Sequence, residues 1–149
     1  MRIGVDLLRI ERLDRIAAHP RYRRVVFTER ELDGAGQPGS ARQLQRLAGG
    51  YCAKEATSKL LGVGLLRGFA WRHVEVLRDG LGAPRVVLSG GARDAADRLG
   101  LGPVQISITH DGPYVVCVAV AAEPGDLPQA AAEQRDPHQG TPLHPDERH

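Results

Sequence analysis

The sequence predicts an α+β domain: an antiparallel sheet packed against one long helix and several short ones. Three observations predict it. Two stretches, 70–88 and 105–122, read as β-hairpins, each a pair of β-rich runs around a Gly- and Pro-containing turn. One stretch, from Ser40 to about Leu61, carries apolar residues at three- and four-residue spacing along most of its length. A short alternating run at residues 2–8 supplies one more strand.

In chain order, residues 2–8 place Ile3, Val5 and Leu7 on one side of a strand and Gly4, Asp6 and Leu8 on the other. Asp6 thus interrupts an apolar strand. A buried carboxylate without a partner is expensive, so Asp6 either meets a cation or several donors, or caps the helix that follows. Residues 9–18 read as that helix, ended by Pro20, with Ile10, Leu13, Ile16 and Ala17 on its apolar stripe and Arg9, Arg12 and Arg15 on another face. Arg21, Arg23 and Arg24 follow. Such a run is either a solvated basic face or a docking surface for something acidic. No aromatic residues interleave it, which argues against nucleic acid.

Thr28 is the N-cap of a further helix, with Glu31 three residues on to complete a capping box. Residues 34–40 form a loop, and Ser40 opens the long helix. Leu44, Leu47, Ala48, Tyr51 and Cys52 are its buried stripe. The pair Gly49–Gly50 weakens it, which suggests close approach by another backbone or a ligand. Gly62 is a natural stop, and Gly62-Val63-Gly64 makes a flexible loop. Residues 70–78 and 85–88 are paired strands turning at Leu81-Gly82-Ala83-Pro84. Gly91 to Leu99 is a short helix with Ala92, Ala95, Ala96 and Leu99 inward. Residues 105–110 form a strand ending in His110, a turn follows at 111–113, and residues 114–122 return antiparallel. His110 lies beside that turn, where a lone histidine is either structural or functional.

From Glu123 the composition turns to Pro, Gln, Ala, Asp and His with almost no large apolar residue, the pattern of a disordered tail on a domain of residues 1–122. The tail carries six acids and two bases. Of the 20 bases and 18 acids in the chain, 18 and 12 therefore fall on residues 1–122, a charge of +6 that suits an anionic partner. No apolar run approaches the roughly 20 residues needed to cross a bilayer, so no membrane is expected. Cys52 and Cys117 have no metal or disulfide spacing and read as buried free thiols of a cytoplasmic protein.

Only two of the 20 basic residues are lysine, Lys54 and Lys59, and both fall in Ala53-Lys54-Glu55-Ala56-Thr57-Ser58-Lys59. Glu55 and Lys59 share a helix face, as a surface ion pair or as one wall of a site. Lys54 lies off that face and serves a carbonyl, an acid or a subunit contact. With Asp6 the stretch offers two carboxylates from separate elements. That set suits Mg2+, which typically takes one or two carboxylates plus phosphate oxygens and water. A lysine one turn away suits a phosphate oxygen, and glycines at 62 and 64 let a ligand approach the backbone. The reading is phosphoryl chemistry. No P-loop, kinase or dinucleotide fingerprint is present.

Five motifs in order carry a resemblance: Gly4-Val5-Asp6 with the Glu-Arg helix after it; Phe27-Thr28-Glu29-Arg30-Glu31-Leu32; Ala53-Lys54-Glu55-Ala56 through Gly62; Gly82-Ala83-Pro84; and Ser107-Ile108-Thr109-His110. Over residues 3–122 the chain resembles the holo-acyl-carrier-protein synthases, the small 4′-phosphopantetheinyl transferases. The resemblance implies that family's fold and a homotrimer with its site at the subunit interface. It implies Mg2+ on Asp6 and Glu55 holding the diphosphate of coenzyme A, and Lys59 on a phosphate oxygen. Gly62, Gly64 and Pro84 would lie along the coenzyme, and His110 would reach a neighbouring protomer's coenzyme. Asp6, Glu55, Lys59 and His110 are then the catalytic set. A serine of an acidic apo carrier protein, docked on Arg9, Arg12, Arg15, Arg21 and Arg24, would attack the β-phosphate and release 3′,5′-ADP. Glu55 or a metal-bound water would take the proton. The sequence departs from the pattern at Gly50, where the family has a coenzyme-binding arginine, a role open to Arg46 or another arginine. The departure leaves open an inactive carrier- or coenzyme-binding homologue. With the tail, it also suggests a divergent member serving a polyketide or peptide-synthetase carrier.

Overall fold

Ser40 and Gly62 bound the longest element of the protein in a computed structural model that describes residues 1–64 and 67–126, with the side chains of 15–17 outside the description. The Ser40 hydroxyl accepts from the Gln43 amide to open helix α4 (Ala41–Leu61; α1–α3 precede it). Gly62 closes it in the left-handed conformation at φ 70°, its amide on the carbonyls of Ser58 and Lys59. Arg2 donates its Nε to the Leu60 carbonyl, one of those left over at the helix end, at 2.8 Å.

Three strands cover α4: β1 (Arg2–Arg9), β4 (Gln105–Asp111) and β5 (Tyr114–Ala121), in the order β1-β5-β4 and antiparallel throughout. Asp6 pairs with Cys117, which pairs in turn with Ile108. A second antiparallel pair, β2 (Val74–Arg78) and β3 (Pro84–Leu88), stands beside them. The α+β class and both hairpins are as the sequence predicts. The first hairpin begins later, because Trp71–His73 forms a 3₁₀ turn rather than strand.

The alternation of β1 also holds, with an unexpected exposed side. Gly4 and Leu8 face α4 and are buried. Ile3, Val5 and Leu7 face away and are 60%, 49% and 62% exposed, joined by Tyr114 and Val118 from β5. The core lies between α4 and the inner sheet face, where Leu60, Leu61, Val115, Cys117 and Ala119 are buried. Burying one such large aliphatic side chain stabilises by about 1.5–3 kcal/mol.

The short helices are α1 (Ile10–Ala17), α2 (Pro20–Val26), α3 (Glu29–Gly34) and α5 (Gly90–Arg98). Two expectations are corrected here. Arg9 belongs to β1, not to the first helix. Pro20 does more than end a helix: it sits in the first turn of α2, where its fixed φ and missing amide cost nothing. The Thr28–Glu31 capping box of α3 forms as expected.

Among the described residues, no helix is long and apolar enough to cross a membrane. Of the expected tail, the described part, through Asp126, includes a turn whose Glu123 and Asp126 carboxylates contact the Met1 ammonium. Residues 127–149, and with them the rest of the tail expectation, lie outside the described residues.

Candidate active site

The site starts from one close contact. Where β1 crosses α4, Gly4 lies against the helix backbone: a Cβ there would come within 2.0 Å of the Ala56 carbonyl oxygen. Only glycine permits that approach. It brings Asp6, two residues on and on the same strand face, down onto the exposed side of α4. Lys59 Nζ then reaches Asp6 Oδ1 at 2.9 Å and the Val5 carbonyl at 2.9 Å. The Asp6 side chain is 14% exposed and that of Lys59 53%.

Asp6 therefore meets a cation rather than capping a helix, and the Glu55–Lys59 ion pair is not formed. Lys59 turns to Asp6, and no hydrogen bond reaches the Glu55 carboxylate among the described residues. Burial raises the Glu55 carboxyl above the usual carboxylate range, and the Asp6 charge raises it further, against Lys59 and Arg12. Two carboxylates with one lysine between them and a free carboxylate edge suit a hard divalent cation with oxygen ligands. Asp6 and Glu55 fit Mg2+ on donor type. Among the described residues no third acid, histidine or cysteine joins them, so phosphate and water would complete the shell.

Lys54 proves structural. Its ammonium is fully buried, bound to Glu31 at 2.9 Å, to the Trp71 carbonyl at 3.2 Å and to the Val74 carbonyl. Glu31 also accepts from the Thr28 and Val76 amides at 2.8 and 2.9 Å. Burial pushes the Lys54 ammonium down and the Glu31 charge pushes it back up. The pair ties α3, α4 and β2 together.

Beside that tie opens a cavity of about 500 Å3, walled by α3, α4 and the β2–β3 turn. Gly82 and Pro84 line it, with Gly50 and three arginines, Arg30, Arg46 and Arg78. Asp6, Glu55, Lys59, Gly62, Gly64 and His110 are not among its lining residues. His110 lies one residue inside the end of β4, exposed, and shares the α4-facing side of the sheet with Asp6. The two are two strands and two residues apart, roughly 12 Å at ideal sheet spacing. A Cβ on Gly49 would meet Ile108 at 3.4 Å and the His110 ring at 3.9 Å, and one on Gly50 the Phe27 ring at 3.6 Å. Side chains, not another backbone, approach the paired glycines.

Of the expected docking arginines, Arg9, Arg12, Arg21 and Arg24 are exposed, and the Arg15 side chain is outside the description. Arg9 stacks on Tyr114 at 5.5 Å, and Arg12 stands near enough to act on Glu55. Arg30 and Arg78 were invisible as site residues in the sequence. The one available signal for Arg78 was its place directly before the Asp79-Gly80 turn.

With that geometry in hand, similarity to known proteins is decisive. The model of the 4′-phosphopantetheinyl transferase superfamily matches residues 2–119. The chain belongs to that superfamily. Within it, the chain is 40% identical over 119 residues to the holo-[acyl-carrier-protein] synthase of Clostridium acetobutylicum, covering 79% of this chain and 94% of that one. It is 31% identical over 136 residues to the same enzyme of Thermoanaerobacter pseudethanolicus, covering 89% and 96%. The fold matches the holo-[acyl-carrier-protein] synthase of Neisseria meningitidis at a TM-score of 0.71, with 23% identity and 82% and 98% of the two chains covered. It also matches that of Bacillus anthracis, a complex with CoA (3′,5′-ADP), at a TM-score of 0.66, with 26% identity and 80% and 94% covered. The family's α+β architecture, antiparallel sheet on a long helix, is the one described above.

Proposed function

We propose that the protein transfers the 4′-phosphopantetheine group of coenzyme A to a serine of an acidic apo carrier protein, giving holo carrier protein and 3′,5′-ADP. One observation carries the reading: in a chain of this family, Asp6, Glu55 and Lys59 from β1 and α4 converge on one partly buried, carboxylate-rich point. Asp6 and Glu55 would hold Mg2+, which when bound supplies positive charge to the diphosphate oxygens. Lys59, half exposed and already bridging two oxygens, is free to turn to a phosphate oxygen. The serine oxygen bonds to the β-phosphorus as the bond to the 3′,5′-ADP oxygen breaks. The serine proton passes to Glu55, whose carboxylate accepts no hydrogen bond among the described residues, or to a water beside it. In-line positioning and charge neutralisation carry most of such a reaction.

The assembly that suits this reading is a homotrimer in the cytoplasm. The exposed Ile3, Val5, Leu7 and Val118 on the outer sheet face support burial against other copies. A neighbour would also complete the site, with His110 of one protomer reaching coenzyme bound at another. Arg9, Arg12, Arg21 and Arg24, with Arg15, would receive the acidic carrier.

Incubating the protein with coenzyme A, Mg2+ and apo carriers from fatty-acid, polyketide and peptide synthesis tests the reading. The expected result is a phosphopantetheine mass gain on the serine of at least one carrier, lost in Glu55→Gln with the fold intact. Full activity of that variant would sink it, and coenzyme binding without transfer would identify an inactive homologue.

A further inference from the structure

Tyr51 brings a hydroxyl within electrostatic reach of the carboxylate pair. It lies one turn before Glu55 on α4, so the two share a helix face, with Cβ atoms about 5–6 Å apart. Helical side chains lean toward the N-terminus, which is the direction from Glu55 to Tyr51. Burial raises the Tyr51 phenol above its usual range, and the Glu55 charge raises it further. Arg12 opposes the rise and Asp6 adds to it.

The ring is clamped. It stacks on Trp71, the first residue of the 3₁₀ turn, with centroids 4.7 Å apart and planes at 29°. Both residues are buried. A stacked, buried ring has little freedom, so its hydroxyl is presented at one place. That hydroxyl has no hydrogen-bond partner among the described residues, and it is not sealed in as Thr57 Oγ1 is. A tyrosine hydroxyl on a buried ring usually finds a partner.

The groups around it narrow the choice. Lys59 is turned to Asp6 and the Val5 carbonyl, and the Ser58 hydroxyl to the Val63 carbonyl. Glu55 accepts no hydrogen bond among the described residues. An open donor and an open acceptor thus stand one turn apart. Carboxylates that ligate a metal are themselves hydrogen-bonded by neighbouring side chains, which fixes their orientation toward the ion.

We infer that Tyr51 is a positioning residue for the Asp6–Glu55 pair: its hydroxyl donates to the Glu55 carboxylate and holds it beside Asp6 to receive a divalent cation. The inference rests on the reading of Asp6 and Glu55 as Mg2+ ligands. It gives the Tyr51–Trp71 stack a use beyond packing, since the stack sets where the hydroxyl stands.

Mn2+ titration of the full chain without substrate, read as free Mn2+ by electron paramagnetic resonance, tests the assignment. Tyr51→Phe keeps the ring and removes only the hydroxyl. Its urea midpoint and its fluorescence, which comes from the one tryptophan of the chain, should match the wild type. Its Mn2+ affinity should fall about tenfold or more, the scale of losing a contact that supports a metal ligand. In Glu55→Gln, which lacks the carboxylate, adding Tyr51→Phe should weaken Mn2+ no further. In transfer assays Tyr51→Phe should raise the Mg2+ concentration for half-maximal rate and leave the coenzyme A KM at saturating Mg2+ unchanged. A Mn2+ affinity unchanged in Tyr51→Phe overturns the inference, as does an equal loss in the Glu55→Gln background. A wild type that binds Mn2+ no better than Glu55→Gln overturns the metal reading itself, and this inference with it.

Discussion

The Ala56 carbonyl oxygen occupies the space that a Cβ at residue 4 would need, 2.0 Å from where that atom would lie. Strand β1 and helix α4 therefore touch backbone to backbone at this point. The contact sets the height of Asp6 above the Glu55–Lys59 face. A glycine with no functional group thus fixes where the Asp6 carboxylate stands relative to Glu55 and Lys59.

Replacing Gly4 with Ala forces β1 off the helix. We expect a loss of about 3 kcal/mol, the upper end of overpacking costs, in urea unfolding. Transfer activity should fall further than the folded fraction does, because Asp6 moves with the strand. A variant with native stability would show that the strand yields freely.

Asp6→Asn separates chemistry from folding. The Lys59 end of its contact with Asp6 is half exposed, so removal of the pair should cost about 1 kcal/mol or less in thermal or urea unfolding. Transfer should drop by about a hundredfold or more, as for loss of one preorganised electrostatic group. Part of it should return at raised Mg2+, measured as the Mg2+ dependence of initial rate.

Lys54→Met has the opposite signature. It strands the buried Glu31 carboxylate, which should cost about 3–5 kcal/mol. The double variant Lys54→Met with Glu31→Gln should lose less than the sum of the two singles, read from a double-mutant cycle in urea. Any activity that the folded fraction of Lys54→Met retains should show an unchanged Mg2+ dependence.

Val118→Asp on the outer face tests the assembly. The residue is 36% exposed in the single chain, so the protomer should stay folded by circular dichroism. On the proposed homotrimer, sedimentation should shift toward monomer, and transfer should fall with it. A monomeric variant with full activity would show that one protomer holds a complete site.

The sequence exposed most of what is local. Caps at Thr28, Ser40 and Gly62, the two hairpins and the alternation of β1 follow from rules that act within a few residues. What escaped it depends on partners far along the chain. The binding of Asp6 by Lys59 joins residues 53 apart, and Lys54 finds Glu31 23 residues back. Helix α2 escaped for a local reason: Pro20 reads as a stop, and its role as a start shows only when the next turn continues. The cavity arginines come from α3, α4 and β2, and their charges belong together only once those elements meet.

Lysine is scarce enough here to give the site a handle. Lys54 is wholly buried, which leaves Lys59 as the one exposed lysine side chain in the chain. An amine-directed reagent would meet only it and the Met1 ammonium, which Glu123 and Asp126 already engage. Covalent tagging of this protein through lysine is thus addressed to the C-terminal end of α4, where Lys59 meets Asp6, with the basic surface left unlabelled because it is made of arginine.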